Sequence, residues 1–243
     1  MILHSIRKGS GGPVLFLHTG LETSSTDFEY QQNYFASNFE VIAPDLRGHG
    51  KSHSNDFDDY FSKSAEDLRE TLDEMQITNV HLVGCSLGAI VALFFVRQYP
   101  EYIKSLTLSG LMPVKPQNWN AMHEESINMQ NVMLEKEEVR EELDNKHHSD
   151  WQTLLSISRD SEWYPFEETE DLSDLNVPVL YIVGEGNHHE VTGASIYPKQ
   201  NKMINVSVLP FAAHLVHDQQ PEVYSQLLTQ FINNVQNKSE STV

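Results

Sequence analysis

A chain of 243 residues with a formal net charge of −19 and one cysteine has length for a single domain with a sizeable core and no partner for an internal disulfide. The negative charge excludes nucleic acid and anionic membrane surfaces, both of which would repel it, and no apolar run approaches membrane-span length. A cytoplasmic setting is the resulting expectation. Asn205-Val-Ser207 and Asn237-Lys-Ser239 match the glycosylation pattern, which carries no weight without a secretory leader.

Short apolar runs alternate with helical patterns along the first half: Val14 to Leu17 then Phe28 to Phe39, Val41 to Ala43 then Ala65 to Met75, Val80 to Val83 then Leu87 to Tyr99. This is the rhythm of βα units feeding a parallel sheet. It continues with Ile103 to Leu108 and resumes with Val179 to Val183, Ile204 to Leu209 and a last helix. In that helix Val223, Leu227, Phe231 and Val235 recur every fourth residue, flanked by Tyr224, Leu228 and Ile232; one face is apolar, as a helix covering a sheet requires.

Between these halves, Met112 to Leu175 reads as several helices without a strand. From His123 to Asp174 it carries sixteen Asp or Glu against four Lys or Arg, net −12, a solvated face that keeps the protein soluble. Its Trp119, Trp151, Trp163 and several Met read mainly as internal packing. The expected organisation is a core of residues 1–111 and 176–243 with a helical insertion at 112–175.

Gly84-Cys85-Ser86-Leu87-Gly88 stands between the strand Val80 to Val83 and the helix that starts near Leu87. A serine at a strand-to-helix turn has a strained backbone, and small residues two before and two after it leave room for that turn. A hydroxyl needs a base to take its proton and donors to meet the oxyanion formed after attack. His214, 128 residues later, follows the strand Ile204 to Leu209, and Leu15-Phe16-Leu17-His18-Thr19-Gly20 runs from a strand into a turn.

Taken together these segments resemble the α/β-hydrolase superfamily. His18-Thr-Gly is similar to its HG turn, Asp45-Leu-Arg-Gly-His-Gly-Lys-Ser52 to its D-x-x-G-x-G-x-S segment, Tyr99-Pro-Glu to the stretch after the nucleophile helix, and His214 through Gln220-Pro-Glu222 to its ending. The resemblance implies a mostly parallel central sheet flanked by helices, with a helical cap inserted after the strand that follows the nucleophile helix. It makes Ser86 the nucleophile, His214 the general base, the backbone N–H groups of Gly20 and Leu87 the oxyanion hole, and Asp45, Arg47, Gly48 and Gly50 braces of a nearby loop. The activity it implies is that of a serine esterase without cofactor or metal.

The acid of the family usually lies in a G-x-x-D turn 27 residues before the histidine. Here that turn is Gly184-Glu-Gly-Asn187, and Asn187 occupies the acid position. Glu190 could reach back from three residues on, and Glu185 is the alternative; a site without a carboxylate stays open, since an amide in this place lowers turnover by about 10⁴ in a serine protease. Adjacent histidines such as His188-His189 seldom converge on one metal. The pair His147-His148 reads as solvated, His217 as packing, His49 and His81 as structural, and Cys85 as a core residue. The leading expectation is hydrolysis of a small ester, thioester or lactone through an acyl-enzyme. Beside it stand a catalytically weakened ligand-binding protein and a carbon–carbon hydrolase or lyase using the same Ser-His pair. Epoxide hydrolase and dehalogenase chemistry is disfavoured, because those relatives place an aspartate at the elbow.

Overall fold

The computed structural model describes residues 1–240, with the backbone alone at 239 and 240. The Ser239 side chain of the second glycosylation pattern and residues 241–243 of the expected core segment lie outside the described residues. In chain order the elements are β1 (Ser5–Gly9), β2 (Gly12–Leu17), α1 (Glu29–Phe35), β3 (Phe39–Pro44), α2 (Tyr60–Glu74), β4 (Val80–Cys85), α3 (Leu87–Gln98) and β5 (Ile103–Ser109). Four helices follow without a strand: α4 (Trp119–Leu134), α5 (Glu137–Lys146), α6 (Trp151–Ile157) and α7 (Phe166–Glu170). The chain then returns through β6 (Val179–Gly184), α8 (His188–Val191), α9 (Gly193–Gln200), β7 (Ile204–Leu209), α10 (Val216–Gln219) and α11 (Pro221–Glu240).

The seven strands form one sheet in the order β1-β3-β2-β4-β5-β6-β7. β1 runs antiparallel to β3 and the other pairings are parallel. The central strands are buried on both faces because alternate side chains feed two separate clusters. Leu15, Leu17, Leu82, Leu106 and Val183 join α2, α3 and α9 on one face, and Val14, Phe16, Val83, Leu180 and Ile182 join α1 and α11 on the other. At α11 the buried stripe is Tyr224, Leu228 and Ile232, while Val223 is exposed. In the inserted helices Trp119 and Trp151 are buried, whereas Met129 and Met133 face solvent.

This topology fixes where chemistry can sit. β3 lies on one side of β2 and β4 on the other, so the chain changes direction across the sheet between β2 and β4. The loops leaving the carboxyl ends of two such strands diverge, opening a crevice at that edge. Gly20 follows β2 and Ser86 follows β4, which places both at its mouth. No helix among the described residues is long and apolar enough to cross a membrane.

Candidate active site

Ser86 sits in the one-residue turn between β4 and α3 with φ 53° and ψ −119°, a conformation that costs an L-residue about 1–3 kcal/mol. Its N–H donates to Ser109 O at 2.9 Å, and its carbonyl accepts from Ala89 and Ile90 at 3.0 and 3.1 Å, so the surrounding backbone enforces the strain. The turn is crowded: a Cβ on Gly84 would stand 2.4 Å from Gly88 O, and one on Gly88 2.2 Å from Leu17 O. Cys85 is fully buried, and burial pushes its thiol well above the usual range, which keeps it protonated and unreactive.

From Ser86 a chain of hydrogen bonds runs into the protein. Ser86 Oγ lies 2.9 Å from His214 Nε2, and His214 Nδ1 lies 2.5 Å from Glu190 Oε1. Glu190 is buried on the first turn of α8, whose position is fixed by the Tyr181 hydroxyl lying 2.9 Å from Leu111 O and 2.7 Å from Glu190 O. Asn187 caps that helix, and its Nδ2 donates to the same Glu190 Oε1 at 2.6 Å. Glu185 is directed elsewhere, accepting from Phe211 N–H at 2.9 Å, and His188 and His189 are exposed. Burial disfavours the imidazolium of His214, but the hydrogen bond and charge of Glu190 outweigh it and raise the pKa. Both side-chain contacts of the carboxylate among the described residues fall on Oε1, one from His214 and one from Asn187.

A cavity of about 120 Å³ opens at Ser86. Gly20, Leu21, His49, Tyr60, Phe61 and Leu87 line it from the sheet side, and Leu154, Leu155 and Ile157 of α6 with Ser158 and Trp163 of the α6–α7 connection line it from the segment between β5 and β6. Leu87 is the first residue of α3, where a backbone N–H has no carbonyl one turn earlier within the helix. Gly20 has open space where a Cβ would stand. The Asp45 loop is braced throughout: Asp45 accepts from Ser24 and Lys51 N–H at 2.8 and 2.9 Å, and Arg47 donates to both Asp67 oxygens at 2.8 and 2.9 Å.

Several features go beyond, or against, the reading of the sequence. His147 is buried, not solvated: it accepts from Gly50 N–H at 3.0 Å through Nδ1 and its Nε2 lies 3.2 Å from Leu21 O. The reason is tertiary, since the segment after α5 docks on the Gly50 loop, with His148 N–H donating to Gly50 O at 2.9 Å. His49 lines the cavity and lies between His18 and His147, tilted against the first and edge-on to the second, with ring centroids 4.9 and 5.5 Å away. His217 does more than pack: its Nε2 lies 2.6 Å from Asp27 Oδ1, while Asp27 Oδ2 accepts from Thr19 N–H at 2.7 Å. Burial opposes the Asp27 charge, but His217 and that N–H win and hold its carboxyl at about 2. This one His–Asp hydrogen bond thus ties the turn before Gly20 to the segment after His214. Gly110, with φ +71°, was also missed; a Cβ there would lie 2.9 Å from Ser86 N and 3.0 Å from His214 Cε1. A glycine immediately after a strand that neighbours the elbow was the available signal.

Among the described residues no three His, Cys, Asp or Glu side chains gather to hold a metal. The arrangement can therefore do what a hydroxyl, an imidazole and a carboxylate in line can do: move a proton from oxygen to nitrogen next to an apolar cavity.

The sequence of residues 12–136 matches the family model for the alpha/beta hydrolase fold, and the chain belongs to that family. A 2-(acetamidomethylene)succinate hydrolase of Mesorhizobium japonicum is 25% identical over 93% of this chain and 90% of that protein. A mouse protein, Serine hydrolase BPHL, is 35% identical over 44% of this chain and 39% of its own length. The chain spans less than half the length of the first curated relatives it matches. Among solved structures, NosK from Streptomyces actuosus superposes with a TM-score of 0.81 at 24% identity, covering 93% of this chain and 99% of that one.

Proposed function

We propose that this protein is a serine hydrolase that cleaves a small ester, thioester or lactone through an acyl-enzyme. The observation that carries the reading is the unbroken line from Ser86 Oγ through His214 to Glu190, with separations of 2.9 and 2.5 Å. In this reading His214 Nε2 takes the hydroxyl proton as Ser86 Oγ bonds to the acyl carbon, and the N–H groups of Gly20 and Leu87 receive the oxyanion. Collapse expels the alcohol or thiol with the proton from His214; water, deprotonated by the same nitrogen, then releases the acid. Glu190 serves as the acid of the triad from its shifted position, and residues 112–175 act as the cap.

Support also comes from the relatives: the mouse protein is named a serine hydrolase and the Mesorhizobium protein a 2-(acetamidomethylene)succinate hydrolase. The weakened, ligand-binding reading rested on Asn187, and the bond from Asn187 to Glu190 gives that amide a task other than an empty acid position. A fluorophosphonate probe and a set of nitrophenyl esters test the proposal. The wild-type chain is expected to label at Ser86 and hydrolyse the esters, and Ser86→Ala to do neither. Ester hydrolysis that survives Ser86→Ala would sink it.

A further inference from the structure

We infer that the cavity at Ser86 receives an uncharged, apolar acyl group of about five or six non-hydrogen atoms, since a dry cavity of ~150 Å³ holds benzene, and that it turns carboxylated acyl groups away. The inference rests on the serine-hydrolase reading and concerns which acyl groups that site accepts.

Size comes from the volume of about 120 Å³. Chemistry comes from the walls. Leu21, Phe61, Leu87, Leu154, Ile157 and Trp163 offer carbon. Three polar side chains besides Ser86 make bonds to protein: His49 Nδ1 lies 3.1 Å from Arg47 O, the Tyr60 hydroxyl donates to the same carbonyl at 3.1 Å, and Ser158 Oγ donates to Leu155 O at 2.8 Å. They complete the wall without asking for a polar acyl chain.

No Lys, Arg, Asp or Glu lines the cavity; of the cations close in sequence to a lining residue, Lys51 is exposed, Lys63 pairs with Asp56, and the others are held away from the cavity. Arg47 is clamped on Asp67; Arg159, next to Ser158, reaches Gln130 and Asn131; Lys146, next to His147, pairs with Glu22 and Glu142. His49 is fully enclosed and flanked by His18 and His147, and burial keeps it neutral. A carboxylate entering here would give up part of its water and find no counter-charge in return.

The acyl group, not the alcohol, is the part assigned to the cavity, because the acyl carbon is the one bonded to Ser86 and its chain stays through both half-reactions.

Full-length protein is assayed against nitrophenyl esters from acetate to dodecanoate, against the matching glutarate half-ester, and against acetates of alcohols of increasing length. The expected kcat/KM peaks at butanoate to hexanoate. It falls at least roughly 10-fold at dodecanoate and at least roughly 100-fold for the glutarate half-ester against hexanoate. The alcohol series changes far less. Trp163→Ala, at a half-buried position, is expected to move the optimum to longer chains. Discrimination against the half-ester persists at about 0.2 M salt, where long-range repulsion from the net charge is screened. A flat acyl series, an optimum in the alcohol series, equal turnover of the half-ester, or discrimination that vanishes with salt overturns the inference. Fluorophosphonate labelling of Ser86 in the same samples separates the two levels: labelling with the wrong preference removes only this inference, and no labelling removes the serine mechanism beneath it.

Discussion

At the scale of single residues, the pairing of Asn187 with Glu190 decides how the histidine is held. Glu190→Gln keeps the shape but replaces the acceptor that orients Nδ1–H, and kcat is expected to fall by about 10²–10⁴. It also removes what raises the His214 pKa. The base form exists only above that pKa, so wild-type activity should climb through an inflection above 6.5, and the residual activity of the variant through one at lower pH; steady-state pH profiles read both. Asn187→Asp is expected to harm the wild type, because a second carboxylate would stand against Glu190 Oε1, where the amide now lies 2.6 Å away, and like charges that close do not both stay ionised. In the Glu190→Gln background the same change should recover activity; a further loss there would show that Asn187 cannot replace the acid. Ser86 and His214 were legible because each sits at a sequence landmark. The choice between Glu185 and Glu190 was not legible, because it depends on how α8 turns after β6, and that turn is held where the single Tyr181 hydroxyl lies between the carbonyls of Leu111 and Glu190, 70 and 9 residues away.

At the scale of elements, the segment joining α5 to α6 is held on the core by His147 and the backbone of Gly50. Burial first, against a weaker opposing bond to Leu21 O, lowers the His147 pKa to about 4. A histidine kept neutral in the folded state takes its proton earlier when unfolded. Its share of stability is therefore intact above pH 6.5 and lost as pH falls toward 4. Protonated His147 would lose the Nδ1 acceptor for Gly50 N–H and face His18, His49 and Lys146, with Asp45 and Glu22 offsetting part of the charge. Denaturant titrations at pH 7 and pH 5 should show this loss, and His147→Gln should reduce the difference, the buried His18, His49 and His81, all held down by burial, contributing to what remains. The parallel strands were readable because burial on both faces leaves near-continuous apolar runs. β1 was not: its Ser-Ile-Arg-Lys-Gly is half exposed, and only antiparallel pairing with β3 makes it a strand.

At the scale of the whole molecule, a net charge of −19 opposes compaction through self-repulsion. Raising salt from about 10 mM to about 200 mM shortens the screening length from roughly 30 Å to under 10 Å, so the thermal midpoint is expected to rise; a midpoint that falls would mean that specific pairs such as Arg47 with Asp67 outweigh the general repulsion. The sign of the charge and its concentration between β5 and β6 were legible in composition. The cavity was not, because its walls come from loops and helices spread from Gly20 to Trp163 and no periodicity records their convergence.

The elbow carries a further meaning in time. Ser86 meets its ring-nitrogen partner 128 residues later, and Asp27 meets His217 190 residues later. Residue 86 therefore leaves the ribosome well before the groups that hold it, Ser109 with its carbonyl and His214 with its imidazole. The line from Ser86 to Glu190 can close only once the chain beyond β7 has been made.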